Sequence, residues 1–161
     1  MKLSFLTLAV TAVFASHVLA EAPKPETDFR KTLSAAAKDQ KLAFILLGRP
    51  TCGNCNATKG MIKDAKIAVT SADYVMGDLN IDDPKTNAEF MRKYGKENFG
   101  NTLPFVVITD SQGKLLASSG GYKDAAKWNA LLAQAKGKLA AKPASGGGPD
   151  GNGPFKTTPK Q

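Results

Sequence analysis

The feature that most constrains the fold is a run of six apolar residues that ends shortly before a pair of cysteines. Residues 42–47 read Leu-Ala-Phe-Ile-Leu-Leu, and a continuous apolar run of this length is typical of a strand buried on both faces. Cys52 and Cys55, the only cysteines of the chain, follow at the start of a helix predicted over residues 52–66. The sequence therefore places both thiols at a strand-to-helix junction.

The other apolar patterns predict an α/β domain with the element order α, β, α, β, α, β, β, α. Helices are predicted over 28–40, 52–66, about 90–94 and 124–136, and strands over 42–47, 74–81, 104–109 and 114–118. The first two strands, joined through a helix, must be parallel, whereas the last two form an antiparallel hairpin. We expect a three-layer sandwich, with a mixed central sheet, helices on both faces and a C-terminal hairpin followed by a helix.

The first residues indicate export. Residues 1–20 have a short basic start, an apolar stretch and small residues at the end, which is typical of a secretory signal peptide cleaved near Ala20 and too short for a stable membrane span. We therefore expect a periplasmic or secreted protein without stable membrane insertion.

The mature chain is expected to have three parts. Residues 21–26 contain two prolines, which block a helix and predict an extended linker. The folded domain is predicted over residues 27–137. Residues 138–161 are rich in glycine, proline and lysine, and such a composition predicts a disordered tail.

The composition after cleavage excludes many functions. The sole histidine, His17, lies in the predicted signal peptide, so the mature chain has no imidazole for a Ser-His-Asp triad, a Cys-His pair or a histidine-ligated metal. Two cysteines cannot supply a four-thiolate zinc site within one chain. The excess of 22 basic over 14 acidic residues forms no clustered basic stripe, so we expect no nucleic-acid partner.

The Cys-Gly-Asn-Cys motif favours thiol chemistry. The backbone N–H groups and dipole at a helix start lower the pKa of a thiol there, which predicts a reactive Cys52. Cys55 lies one turn further on and can reach back to Cys52, while Gly53 lets a substrate backbone approach. A structural disulfide is one alternative, although closing so short a loop contributes only about 2 kcal/mol. Metal capture by thiolates from two chains is another.

Residues 41–136 resemble thioredoxin, and in particular the exported thioredoxin-like proteins of bacteria. The resemblance rests on the cysteine motif after an apolar strand, on the Asp-Leu-Asn-Ile-Asp sequence of residues 78–82, and on Thr102-Leu103-Pro104 at the position of the family's cis-proline. Gly120-Gly121 also falls where thioredoxins have a glycine beside the active site, which implies a substrate-binding role for Gly121.

The resemblance implies a thiol–disulfide oxidoreductase. Cys52 would be the nucleophile and Cys55 the resolving thiol, with their own redox-active disulfide as the only cofactor and no metal. Pro104 would lie beside the disulfide and expose the backbone of Leu103 to substrate. The partners would be protein thiols and disulfides, with an unidentified redox partner that would be membrane-borne in an oxidising compartment. We expect a monomer.

Several residues depart from the thioredoxin pattern. Asn54 stands where thioredoxins have proline and oxidising relatives have histidine, and because it carries no charge we expect a more reducing couple than a histidine would give. Leu46 replaces the family's buried aspartate, while Asp78 replaces a lysine on the neighbouring strand. Asp78 is therefore either a relocated base for the resolving thiol or an exposed strand residue.

Two further questions stay open at the level of sequence. Arg49 precedes the motif by three residues, and it either adds positive potential at the Cys52 thiolate, docks an acidic group of a partner, or is a solvated loop residue. The whole domain is either a redox enzyme or a non-enzymatic thioredoxin-fold module that binds partners or handles metal.

Overall fold

Nine elements form the domain in the computed structural model, which describes residues 21–141. The predicted signal peptide (1–20) and residues 142–161 of the predicted tail lie outside the described residues. The helices are α1 (Phe29–Asp39), α2 (Gly53–Lys63), α3 (Pro84–Tyr94) and α4 (Ala125–Ala140), and the strands are β1 (Pro25–Glu26), β2 (Leu42–Gly48), β3 (Tyr74–Asn80), β4 (Phe105–Thr109) and β5 (Leu115–Gly120).

The strands form one mixed sheet in the order β1-β3-β2-β4-β5. β2 is parallel to β3 and antiparallel to β4, and β4 pairs with β5 as a hairpin. Every residue of β2 is buried, because the strand is central in the sheet and has helices on both faces. The predicted α/β fold class with its mixed sheet is confirmed.

Each face of the sheet is covered by two helices. Cys55 of α2 and Trp128 of α4 belong to the core on one face, whereas Phe29 of α1 and Phe90 of α3 belong to the core on the other. The residues of β2 alternate between the two cores, as a strand requires. The face shared by α2 and α4 is therefore the one that carries the cysteines.

The helix starts differ in one informative way. α1, α3 and α4 begin after aspartates whose carboxylates accept backbone N–H groups, namely Asp28, Asp83 and Asp124. α2 begins after Cys52, whose sulfur accepts the backbone N–H of Cys55 at 3.2 Å. A disulfide sulfur therefore occupies the capping position that an aspartate carboxylate fills at the other three helices.

The segment predicted as a linker is part of the sheet. Pro25 and Glu26 form β1 and pair in parallel with Met76 and Gly77 of β3. The prolines correctly indicate extended chain, but a proline is also tolerated on an edge strand, where its missing N–H costs no ladder hydrogen bond. The linker prediction for residues 21–26 is therefore wrong at its C-terminal end.

Two helix ends also differ from prediction. α2 ends at Lys63 and not at residue 66 as predicted, and Ala65 is exposed with φ 55°. α4 runs to Ala140, so the predicted tail begins too early. The ammonium of Lys138 donates to the carbonyl of Leu116 at 2.7 Å, which attaches this last turn to β5. Among the helices of residues 21–141, none combines the length and apolar character that a membrane crossing needs.

Candidate functional site

The two cysteines form a disulfide at the junction of β2 and α2. Their sulfurs are 2.22 Å apart and their Cα atoms 5.2 Å apart. Cys52 is partly exposed, whereas Cys55 is completely buried within the core on that face. The sulfur of Cys52 is therefore the one that solvent and a second molecule can approach.

Gly48, the last residue of β2, lies directly against Cys55. A Cβ atom at Gly48 would lie 2.6 Å from the Cys55 sulfur and 3.1 Å from a methyl carbon of Leu46. The strand can therefore pass this close to the buried sulfur only because it ends in glycine. Sequence reasoning missed Gly48 as a site residue, and its position at the end of a fully apolar strand is the one signal that could have indicated it.

The loop before β4 brings Leu103 and Pro104 to the same place. β4 is antiparallel to β2, with Phe105 opposite Leu47, so the start of β4 meets the end of β2. The Leu103–Pro104 peptide bond is cis, and Pro104 is buried while Leu103 packs against the core cluster that contains Cys55.

Gly121 holds this loop from the other side. Its N–H donates to the carbonyl of Pro104 at 3.0 Å, and its φ of 73° is the left-handed conformation that favours glycine. Gly121 therefore lies beside the loop that contains Pro104.

Asn54 connects the cysteine motif to the same loop. Its side-chain Nδ2 donates to the backbone carbonyl of Leu103 at 3.3 Å. Gly53 is exposed, and a Cβ atom added to it would meet nothing within 4 Å. The first turn of α2 thus presents open space at Gly53 and an amide hydrogen bond at Asn54.

Asp78 lies on the cysteine-bearing face of the sheet. It is the register partner of Leu46 in the parallel β2–β3 pair, so both side chains point toward the face covered by α2. Its carboxylate pairs with the ammonium of Lys59 at 3.0 Å, and both side chains are about a quarter exposed. The sequence did not identify Lys59, because nothing in it shows that α2 would bring this residue to Asp78.

Arg49 makes its side-chain ion pair at the end of β3. Its Nε donates to both carboxylate oxygens of Asp82, at 2.8 and 3.0 Å, and both side chains are about half exposed. Its link to Cys52 runs through the backbone, since the Cys52 N–H donates to the Arg49 carbonyl at 3.1 Å. An open cleft of about 270 Å³ lies between these ion pairs, lined by Thr27, Arg49, Pro50, Lys59, Asp78, Leu79 and Asn80.

The first turn of α2 contains no acidic residue, so no carboxylate there opposes a negative charge on Cys52. Within residues 21–141, no group of three or more histidine, cysteine, aspartate or glutamate side chains is arranged to hold a metal ion.

A fold of this topology with a Cys-x-x-Cys disulfide at the start of its second helix defines a thioredoxin-like protein. The family described as "Thioredoxin-like domain" matches residues 29–136, and the chain belongs to that family. The fold and the cysteine pair together support a redox role and indicate oxidoreductase activity.

Solved structures share the fold at low sequence identity. An uncharacterised thioredoxin-like protein from Clostridium perfringens is 14% identical, with a TM-score of 0.53, and the alignment covers 77% of this chain and 90% of that one. A variant thioredoxin from Halobacterium salinarum is 15% identical, with a TM-score of 0.52 and coverage of 72% and 95%. The germline-specific thioredoxin Deadhead from Drosophila melanogaster is 24% identical, with a TM-score of 0.50 and coverage of 66% and 90%. No curated protein matches the sequence.

Proposed function

We propose that the protein is an exported thiol–disulfide oxidoreductase that reduces or isomerises protein disulfides, with Cys52 as the nucleophile and Cys55 as the resolving thiol. The observation that carries the proposal is the unequal burial of the two cysteines at one helix start. Cys52 is partly exposed and Cys55 is completely buried. A second molecule can therefore reach the first sulfur but not the second.

The start of α2 supports a reactive thiolate on Cys52. The N–H of Cys55 donates to the Cys52 sulfur at 3.2 Å, and the free N–H groups and dipole of a helix start favour negative charge. The first turn of α2 has no acidic residue that would oppose this effect. Once the disulfide is reduced, the same geometry favours the thiolate of Cys52 over its thiol.

The reaction then proceeds in two displacements. The Cys52 thiolate attacks one sulfur of a substrate disulfide, the substrate S–S bond breaks, and the departing substrate thiolate takes a proton. Cys55 loses its proton and attacks the Cys52 sulfur, which releases the second substrate thiol and leaves the Cys52–Cys55 disulfide. Two electrons pass from the protein dithiol to the substrate, so a further dithiol donor must reduce the protein again.

The loop at Pro104 supports the docking of an extended substrate. The backbone of Leu103 lies next to the cysteine motif, since Asn54 of that motif donates a hydrogen bond to the Leu103 carbonyl. Pairing with the Leu103 backbone would align a substrate chain in β fashion. Gly53 and Gly121 carry no side chain that would obstruct it. Arg49, half exposed at the edge of the cleft, would attract an acidic group on a partner.

Asp78 is proposed to assist the deprotonation of Cys55. The ion pair with Lys59 keeps its carboxylate on the face covered by α2, and the adjoining cleft gives water access to that carboxylate. Asp78→Asn should slow the second displacement at neutral pH and have less effect at alkaline pH, where the thiol ionises without help. An equal effect at all pH values would show that Asp78 is only structural.

The proposed setting is an oxidising compartment outside the cytoplasm. It follows from the predicted signal peptide, and it requires a membrane-borne reductant because soluble thiol donors are scarce there. Protein disulfides are the proposed substrates, and we propose that the chain acts as a monomer without nucleic-acid or metal partners.

Reduction of insulin by dithiothreitol, followed as turbidity, tests the proposal. The protein should accelerate precipitation, and Cys52→Ala should abolish the acceleration. Cys55→Ala should instead accumulate a mixed disulfide with substrate. Absence of acceleration by the wild-type protein would refute the enzyme proposal and favour a partner-binding module.

A further inference from the structure

The backbone carbonyl of Leu103 is already occupied in the described disulfide form. Asn54 Nδ2 donates to it at 3.3 Å. Asn54 lies between the two cysteines and is itself partly buried, so its amide is held against the loop by the start of α2. The loop carbonyl that is expected to receive a substrate N–H thus has a side-chain donor from the protein itself.

We propose that Asn54 competes with the substrate backbone for the Leu103 carbonyl and so slows the reaction with peptide disulfides relative to small disulfides. This inference rests on the proposed function. A peptide can form its full set of β-type hydrogen bonds with Leu103 only if it displaces or shares the Asn54 amide. A small disulfide without a backbone has no N–H to place there and meets no such competition.

The competition has a defined size and sign. A partly exposed hydrogen bond between neutral groups contributes only modestly to the free energy that holds Asn54 on the Leu103 carbonyl. Its removal should therefore change the rate constant with a peptide by about two- to tenfold. Asn54→Ala frees the carbonyl, so the peptide should react faster relative to the small disulfide. Asn54→Pro also removes the donor and introduces the residue that thioredoxins have at this position, so it should shift the ratio in the same direction.

The chain offers a matched control on the same helix. Asn56 Nδ2 donates to the backbone carbonyl of Pro50 at 3.0 Å, which lies before the cysteine motif rather than in the loop at Pro104. Asn56→Ala therefore deletes an equivalent amide-to-carbonyl hydrogen bond away from the Leu103 carbonyl. It should leave the ratio of the two rates at the wild-type value.

The experiment measures how fast the pre-reduced protein is oxidised by two substrates. One is a short peptide with a single internal disulfide, and the other is dimethyl disulfide, which has no hydrogen-bond donor. The readout is the second-order rate constant with the peptide divided by that with dimethyl disulfide. Both rate constants are obtained by acid quenching and mass spectrometry. Because both substrates oxidise the same cysteine pair, a change in the reduction potential caused by the substitution affects both rates and largely cancels in the ratio.

The outcomes separate the two proposals. A ratio two- to tenfold higher in Asn54→Ala and Asn54→Pro, and unchanged in Asn56→Ala, supports the inference. An unchanged or lower ratio in the Asn54 variants, with wild-type protein reactive toward both substrates, overturns the inference and leaves the proposed function standing. A wild-type protein that reacts no faster than free dithiothreitol with either substrate refutes the proposed function and the inference together.

Discussion

Replacing Gly48 by alanine should destabilise the protein through the buried sulfur of Cys55. The new Cβ atom would lie 2.6 Å from that sulfur, 3.1 Å from Leu46 Cδ2 and 3.2 Å from Cys55 Cβ, whereas favourable contacts between carbon atoms lie at about 3.5–4.0 Å. Neither neighbour is the free end of a flexible surface side chain, since Leu46 and Cys55 are both completely buried. The strand or the helix must therefore move.

The expected loss is that of an overpacked core. Such changes cost about 1–3 kcal/mol in the free energy of unfolding, and for a domain of this size about 1 kcal/mol corresponds to roughly 4 °C in Tm. Thermal unfolding followed by circular dichroism should thus show a Tm about 4–12 °C below the wild-type value. Gly60→Ala, in the helix that carries Cys55, is the matched control, because a Cβ atom there meets nothing within 4 Å. This substitution should raise the free energy of unfolding by about 0.5–1 kcal/mol.

The redox state sharpens the test. The disulfide bond fixes the Cys55 sulfur against Gly48, whereas a free thiol can rotate away from the added methyl group. Gly48→Ala should therefore lose more stability in the oxidised protein than in the reduced one, and the couple should become more oxidising by about 30 mV for each 1.4 kcal/mol of difference. Titration against glutathione measures this shift. Equal losses in both forms, or no loss in either, would refute the reasoning that the sulfur is the crowded atom.

Three other predictions address the site, a helix cap and the domain boundary. Iodoacetamide at mildly acidic pH should alkylate Cys52 of the reduced protein before Cys55, because Cys55 is completely buried; mass spectrometry that found Cys55 labelled first would reverse the assignment. The hydroxyl and N–H of Thr86 donate to the Asp83 carboxylate and hold the pKa of Asp83 below its usual range. The Asp83 cap of α3 therefore stabilises the fold fully above the unfolded-state pKa of about 3.9. This contribution is lost as the pH falls through the lower folded-state pKa. Asp83→Asn should therefore flatten the acid side of the Tm-against-pH profile, and an unchanged profile would contradict this role. A chain ending at Ala141 should keep the wild-type Tm, whereas one ending at Gly137 should melt earlier because it lacks the Lys138 contact with Leu116; equal Tm values would show that the last turn of α4 contributes nothing.

Local patterns predicted most of the fold, and tertiary contacts account for the rest. The apolar run of residues 42–47 and the apolar pattern of residues 124–136 led directly to β2 and α4, because a buried strand and an amphipathic helix each leave a recognisable pattern. β1 could not be predicted, since two residues of extended chain become a strand only through pairing with β3. The early end of α2 depends similarly on Ala65 adopting a left-handed conformation.

The site divides in the same way. The cysteines and Pro104 stand in recognisable local motifs, so the sequence could name them. Gly48 and Lys59 have their places only because the sheet and α2 bring distant segments together, and no local pattern encodes those distances. The hydrogen bond from Asn54 to Leu103 spans 49 positions in the chain and was likewise beyond the reach of sequence reasoning.

The brevity of β1 has a consequence for how the molecule behaves at high concentration. A sheet edge with unpaired N–H and C=O groups is a template on which another chain can pair and begin to aggregate. β3 would be such an edge, but β1 covers it at Met76 and Gly77. β1 in turn consists of an exposed proline, which has no N–H to offer, and a glutamate, whose charge repels an identical neighbour. These two residues therefore make the stretch of edge opposite Met76 and Gly77 a poor template for a further strand.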